Sequence, residues 1–141
     1  MGGDVIAAIP ERYRDCPRFA FGDSPELADE LAALVLSGRK TATVTTPDDP
    51  DRPQLGQLSV VLGGDGRPLC VIETLELTER RFDEIDAAFA FDEGEGDRGL
   101  AFWRAGHERY FRRLGVFAPD MPLLCERFRL VEVLRVTDDE R

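Results

Sequence analysis

The stretch GDSPELADELAALVLSGRKTATVTT, residues 22–46, passes from helical to strand periodicity within a few residues, and that passage decides the fold class. Asp23 or Ser24 offers a side-chain oxygen to the free N–H groups at a helix start. Pro25 suits the first turn, and Leu27, Leu31, Leu34 and Val35 fall on one helical stripe. Gly38 closes the pattern. The β-branched run KTATVTT (40–46) then predicts a strand, with Thr41, Thr43 and Thr45 on one face and Ala42, Val44 and Thr46 on the other. Arg39 and Lys40 stand at the corner between the two elements.

Working outward, the proline-rich loop PDDPDRPQLG (47–56) leads to QLSVVL (57–62), a glycine turn and LCVIETLELTE (69–79), which together predict a β-hairpin. FDEIDAAFAFDEGEGD (82–97) reads as short helical turns breaking into an acidic, glycine-spaced loop. Leu100, Trp103, His107, Phe111 and Leu114 form the stripe of a second long helix, with Asp97 as a candidate N-cap and Gly115 as a stop. LLCERFRLVEVLRV (123–136) predicts a long final strand. Residues 1–20 read as an N-terminal arm, and 21–141 as a single domain. Strands and helices without regular βαβ alternation predict α+β, with a small, mostly antiparallel, barrel-like sheet and flanking helices.

With no run of eighteen apolar residues and no signal-like start, the chain reads as cytoplasmic, with no membrane partner. Cys16, Cys70 and Cys125 are too far apart for a zinc site and read as reduced thiols. A formal net charge of −10 works against nonspecific binding to phosphate backbones, so any nucleic-acid contact has to be local. Arg39, Arg81 and Arg112 belong to local basic clusters that could track such a backbone, or simply to solvated faces.

Lys40 is the one lysine among 18 basic residues. Arginine supplies the same charge but cannot act as a base, whereas a desolvated ammonium can lose its proton. A neutral Lys40 could therefore activate a neighbouring hydroxyl, with Thr43 as the natural nucleophile; Thr43 as an ordinary strand residue is the alternative. Glu95, between two glycines, is the preferred member of the acidic loop: it could orient Lys40 or relay a proton. The acids of that loop could equally hold a divalent metal through oxygen ligands. No cofactor is firmly implied. His107, the one histidine, reads as a packed core residue, and Trp103 as core or as a base-stacking platform.

FGDSPELADELAALVLSGRKTAT, GQLSVVLGGDGRPLCVIET, FDEIDAAFAFDEGEGDRGLAFWRAGHERYF and MPLLCERFRLV together resemble the ASCH domain family in its longer bacterial form, from about Phe21 to Val131. The resemblance implies a PUA-like barrel with a nucleotide-sized cleft beside GRKTAT, association with RNA, ribonuclease activity on single strands in some members, and amide hydrolysis of N4-acetylcytidine in others. By the same resemblance Lys40, Thr43 and Glu95 form the catalytic group. From the residues themselves, Arg39, Thr41, Thr45, Trp103 and Arg81 are candidates for substrate binding. The expected activity is cleavage of single-stranded RNA. Hydrolysis of a modified nucleoside, or noncatalytic RNA or nucleotide binding, are the alternatives.

Overall fold

The computed structural model describes residues 9–134. Its strands are β1 (Arg18–Phe19), β2 (Ala42–Thr45), β3 (Leu58–Leu62), β4 (Pro68–Arg81) and β5 (Pro122–Val133). Its helices are α1 (Pro25–Leu36), α2 (Ala87–Glu93) and α3 (Leu100–Arg113), with single 3-10 turns at Glu11–Tyr13 and Phe82–Glu84. The strands form one sheet in the order β1-β3-β4-β5-β2. β1 pairs parallel with β3 and all other pairings are antiparallel. The α+β class and the β3–β4 hairpin are as the sequence predicts.

The barrel is not. Among the described residues β1 and β2 share no ladder, so the sheet stays open. The physical reason lies at its ends: β1 has two residues and β2 four, too few backbone groups to close a barrel around the much longer β4 and β5. β4 and β5 carry register shifts near Val71 and Thr74, which bend this central pair.

Three apolar clusters cover the sheet. Leu31, Ala32 and Val35 of α1 pack on Val61, Cys70, Ile72 and Phe128. Phe89 and Ala90 of α2, with Trp103 and Phe111 of α3, pack on Ala42, Leu123 and Cys125. Because Cys125 and Phe128 differ by an odd step along β5, the two clusters lie on opposite faces. α1 therefore covers one face and α2 with α3 the other, and β2 is the edge where the two helical layers meet. The lead-in folds onto the remaining sheet through Ile9 and Tyr13, which bury against Val60 and Val71.

Ser24 caps α1 by accepting the Leu27 N–H. The cap of α3 is Gly99 rather than Asp97, whose carboxylate instead accepts the Gly99 N–H one step earlier. Leu114 follows the end of α3 and is exposed. Burial pushes the Cys70 and Cys125 thiols up to about 12 and about 11, which keeps them protonated.

Candidate functional site

The site forms where α1 and α2 end against each other. Gly38 turns the chain with φ +82°, and the Arg39 and Lys40 N–H groups both donate to the Leu34 carbonyl at 3.0 Å. α2 stops at Glu93 because Gly94 takes φ +79°. A side chain at Gly94 would place its Cβ 2.4 Å from the Arg39 carbonyl oxygen, so glycine is what permits this approach. Arg39 then ties the loop down, donating to the Gly94 carbonyl at 2.8 Å and the Gly96 carbonyl at 2.7 Å.

Between these ends lies Lys40, 1% exposed. Its ammonium donates to Glu93 Oε1 at 2.5 Å, to the Ala42 carbonyl at 2.8 Å and to Glu95 Oε2 at 3.3 Å. The second oxygen of Glu93 accepts from Trp103 Nε1 at 3.1 Å and faces His107 Nε2 at 3.5 Å. His107 stacks on Trp103 with ring centroids 4.1 Å apart and donates from Nδ1 to the Trp103 carbonyl at 2.9 Å. The result is a buried network of one ammonium, one imidazole and two carboxylates.

Burial disfavours every charge in this network, and the charges offset that cost for one another unequally. For Lys40, burial pulls the ammonium pKa down, but Glu93 and Glu95 outweigh it and hold it above the ordinary lysine value. Burial also opposes ionisation of Glu93, yet Lys40 and His107 hold its carboxyl at about 2. Glu95 goes the other way: burial raises its pKa, Lys40 counteracts only in part, and the negative Glu93 adds to the rise. His107 is raised too, because Glu93 and Glu95 overcome the burial that would lower it. Lys40 is thus an ammonium at rest, not the neutral base expected from the sequence. Glu95 is the carboxyl of the network whose ionisation its surroundings disfavour.

Glu95 and Glu93 open onto a cavity of about 280 Å³. Phe21, Leu27 and Leu31 supply one apolar wall, and Phe102, His107 and Tyr110 line another. Thr43 is on the wall as well, and its hydroxyl makes no hydrogen bond among the described residues. Lys40 and Glu95 are therefore brought together as expected, and Thr43 shares their cavity, but the three donors of Lys40 are committed elsewhere and none goes to Thr43.

The expected binding residues separate. Thr45 donates to Asp49 at 2.8 Å, Thr41 donates its N–H to the Asp92 carbonyl, and neither lines the cavity. Arg81 lies at the far end of β4, paired with Asp83 and Glu84 and away from the cavity. Arg112 is paired with Glu108 on the surface. Trp103 is 2% exposed and holds Glu93 instead of offering its face to a base. The exposed aromatic on the cavity is its neighbour Phe102. Glu93, one of the loop acids that the sequence reading ranked behind Glu95, is the buried partner of Lys40. A buried lysine demands a buried counter-charge, and Trp103 and His107, four residues apart on one helix face, were the available signal for where it would sit.

Glu93, Glu95 and His107 each present one ligand atom within 4.8 Å of the others, the arrangement a divalent ion would use. The Lys40 ammonium, however, already lies 2.5 Å and 3.3 Å from these carboxylates. A divalent ion bound there would meet a fixed positive charge at close range in a low-dielectric site. The residues do not fit a metal while Lys40 holds that position; the resident cation is the lysine.

A family model described as ASCH domain matches residues 17–132. Among solved structures the chain is similar to protein EF3133 from Enterococcus faecalis V583, with TM-score 0.81 and 30% identity over 95% of this chain and 91% of that one. It is similar to the ASCH domain from Lactobacillus crispatus JV V101, with TM-score 0.77 and 29% identity over 92% and 91%. Its likeness to ASCH from Zymomonas mobilis, TM-score 0.53 and 9% identity over 86% and 72%, concerns the fold alone. No curated protein matches.

Proposed function

The chain belongs to the ASCH domain family, and from that premise we propose that it is an RNA-associated hydrolase whose cavity takes a single modified nucleoside and cleaves its exocyclic amide, N4-acetylcytidine being the model substrate. The observation that carries this reading is the cavity of about 280 Å³ with Thr43 and Glu95 on its wall. It is of the size of one nucleoside and lies between the α1 and α3 walls, and the only lysine has its charge neutralised by carboxylates. A neutral ligand suits it better than a polyanion, as does the formal net charge of −10.

In the chemistry that follows, the Thr43 hydroxyl adds to the acetyl carbon while Glu95, as carboxylate, takes its proton. Collapse breaks the C–N4 bond, N4 receives that proton from Glu95, and cytidine leaves. Water then attacks the threonyl ester, with Glu95 again accepting a proton, and acetate is released with Thr43 restored. Lys40 acts as a fixed cation that orients Glu95, and Glu93 fixes Lys40. Glu95 is suited to this exchange because burial and the Glu93 charge raise its pKa above the ordinary carboxyl value.

Cleavage of single-stranded RNA is supported by one feature. Arg109 lines the cavity, is exposed, and has no acidic partner among the described residues, whereas nearby Arg113 is neutralised by Asp23. A backbone phosphate could meet Arg109 at the mouth. The two readings separate in parallel time courses, one following acetate release from N4-acetylcytidine and one following cleavage of labelled single-stranded RNA, each repeated with Thr43→Ala and Glu95→Gln and with EDTA. Acetate release abolished by both substitutions and untouched by EDTA is the expected result. RNA cleavage without acetate release would transfer the assignment to the second reading, and inactivity on both would leave a binding module.

A further inference from the structure

Among the described residues β2 is the edge of the sheet and pairs only with β5. Along an antiparallel pair, residues that exchange hydrogen bonds alternate with residues whose N–H and C=O point away from the partner. The Phe128 N–H donates to the Thr41 carbonyl at 3.0 Å. With the register Thr43↔Glu126 and Thr45↔Leu124, this places Thr43 and Thr45 in the bonded set. Ala42 and Val44 therefore turn their main-chain groups outward. The Ala42 carbonyl shows where outward leads, since it accepts from Lys40 Nζ at 2.8 Å. Two residues on, Val44 lines the cavity, and its N–H and C=O have no partner among the described residues.

In an extended residue the N–H and C=O lie side by side on the same edge, a donor next to an acceptor. The Watson–Crick edge of cytosine carries the complement, N3 as acceptor beside the exocyclic N4 as donor, and an acylated N4 keeps its one hydrogen. Main-chain groups lining a cavity need partners, from water when it is empty and from ligand when it is filled.

We propose that the unpaired main chain of Val44 reads the base: its N–H donates to N3 and its C=O accepts from the exocyclic N–H. This rests on the reading of the cavity as a nucleoside site and specifies which end of the nucleoside enters. Along the strand, N3 then lies on the Thr43 side of Val44 and the exocyclic nitrogen on the Thr45 side.

The test compares two ligands and one variant. 3-Deaza-N4-acetylcytidine replaces the N3 acceptor by C–H and leaves the scissile amide intact. Loss of one well-placed hydrogen bond should weaken its binding to the wild-type protein about tenfold relative to the parent, measured by calorimetry on the Thr43→Ala background to prevent turnover. Val44→Pro removes the N–H. As that N–H points away from β5 at an edge strand, the change costs no ladder bond and the fold should survive. This variant should bind the parent about tenfold more weakly and no longer distinguish it from the 3-deaza analogue. Equal affinity of the two ligands for wild type overturns the inference, and does so whether or not Val44→Pro folds. If the wild type hydrolyses the parent and the analogue equally well, this inference fails and the proposed function stands; if neither ligand binds, both fail.

Discussion

Glu93 Oε1 lies 2.5 Å from Lys40 Nζ, and each side chain is 1% exposed. Two opposite charges removed from water at this depth lose several kcal/mol each in hydration, and the loss is recovered only if every remaining donor and acceptor is also satisfied. Here they are: Lys40 has three further oxygen partners, the Ala42 and Glu93 carbonyls and Glu95, and Glu93 has the Trp103 indole and the His107 ring. The pair therefore acts as a fixed internal salt, with Glu95 the adjustable member beside it.

Breaking that salt from one side should be costly. Glu93→Gln or Lys40→Met leaves an uncompensated buried charge and should lower unfolding free energy by about 3–5 kcal/mol in urea titrations. Lys40→Arg should also destabilise, since a planar guanidinium does not fit a space closed around a compact ammonium. The double variant Lys40→Met/Glu93→Gln should lose clearly less than the sum of the two single losses, because no buried charge of the pair remains. Additive losses would show that the two side chains do not interact.

The pH dependence of stability follows from the same pair. The folded-state pKa of Glu93, about 2, is below its ordinary value of 4.5. Its contribution is therefore fully present above pH 4.5 and is lost as the pH falls towards 2. His107 is raised above 6.5, so its contribution is present below that value and fades as the pH rises through the folded pKa. Urea midpoints measured across this range should show a weaker acid-side fall in Glu93→Gln and a weaker loss above neutrality in His107→Gln. Curves parallel to wild type would contradict the network.

Glu95→Gln should separate chemistry from stability. Burial and the Glu93 charge disfavour the ionised Glu95 carboxylate, so the neutral amide should leave stability unchanged or slightly raised at neutral pH. Hydrolysis should fall by about 10²–10⁴ if Glu95 carries the proton. A large stability loss in this variant would mean that Glu95, and not Glu93, is the structural counter-ion.

How much of this could be read in advance depends on the range of the interactions. Ser24, Pro25 and the Leu27–Val35 stripe are local signals, and the structure follows them closely. Lys40 stood out by composition and Glu95 by its flanking glycines, and the two do meet. Glu93 did not stand out, because its importance arises only when α2 packs against α3 and brings Trp103 and His107 over its carboxylate. The open sheet was hidden for a similar reason: the pairing of Arg18–Phe19 with Val60–Val61 spans some forty residues and leaves no periodicity in so short a strand. The long run 123–136 extends beyond the described residues, and β5 ends at Val133.

The two glycines of EGEG should respond differently to alanine. Both have positive φ, +79° at Gly94 and +57° at Gly96, so each substitution carries a backbone cost of about 1 kcal/mol. At Gly94 the new methyl would sit 2.4 Å from the Arg39 carbonyl oxygen, and backbone cannot move without separating the ends of α1 and α2 and opening the Lys40–Glu93 pair. At Gly96 the methyl would meet the Phe102 ring at 2.3 Å, but that ring is 43% exposed and can rotate towards the cavity. Gly94→Ala should therefore lower the melting temperature by many degrees and shift the network's pH dependence. Gly96→Ala should cost little stability yet displace Phe102 and weaken nucleoside binding. Equal melting temperatures for the two variants would show that the α1–α2 junction does not depend on the close approach at Gly94.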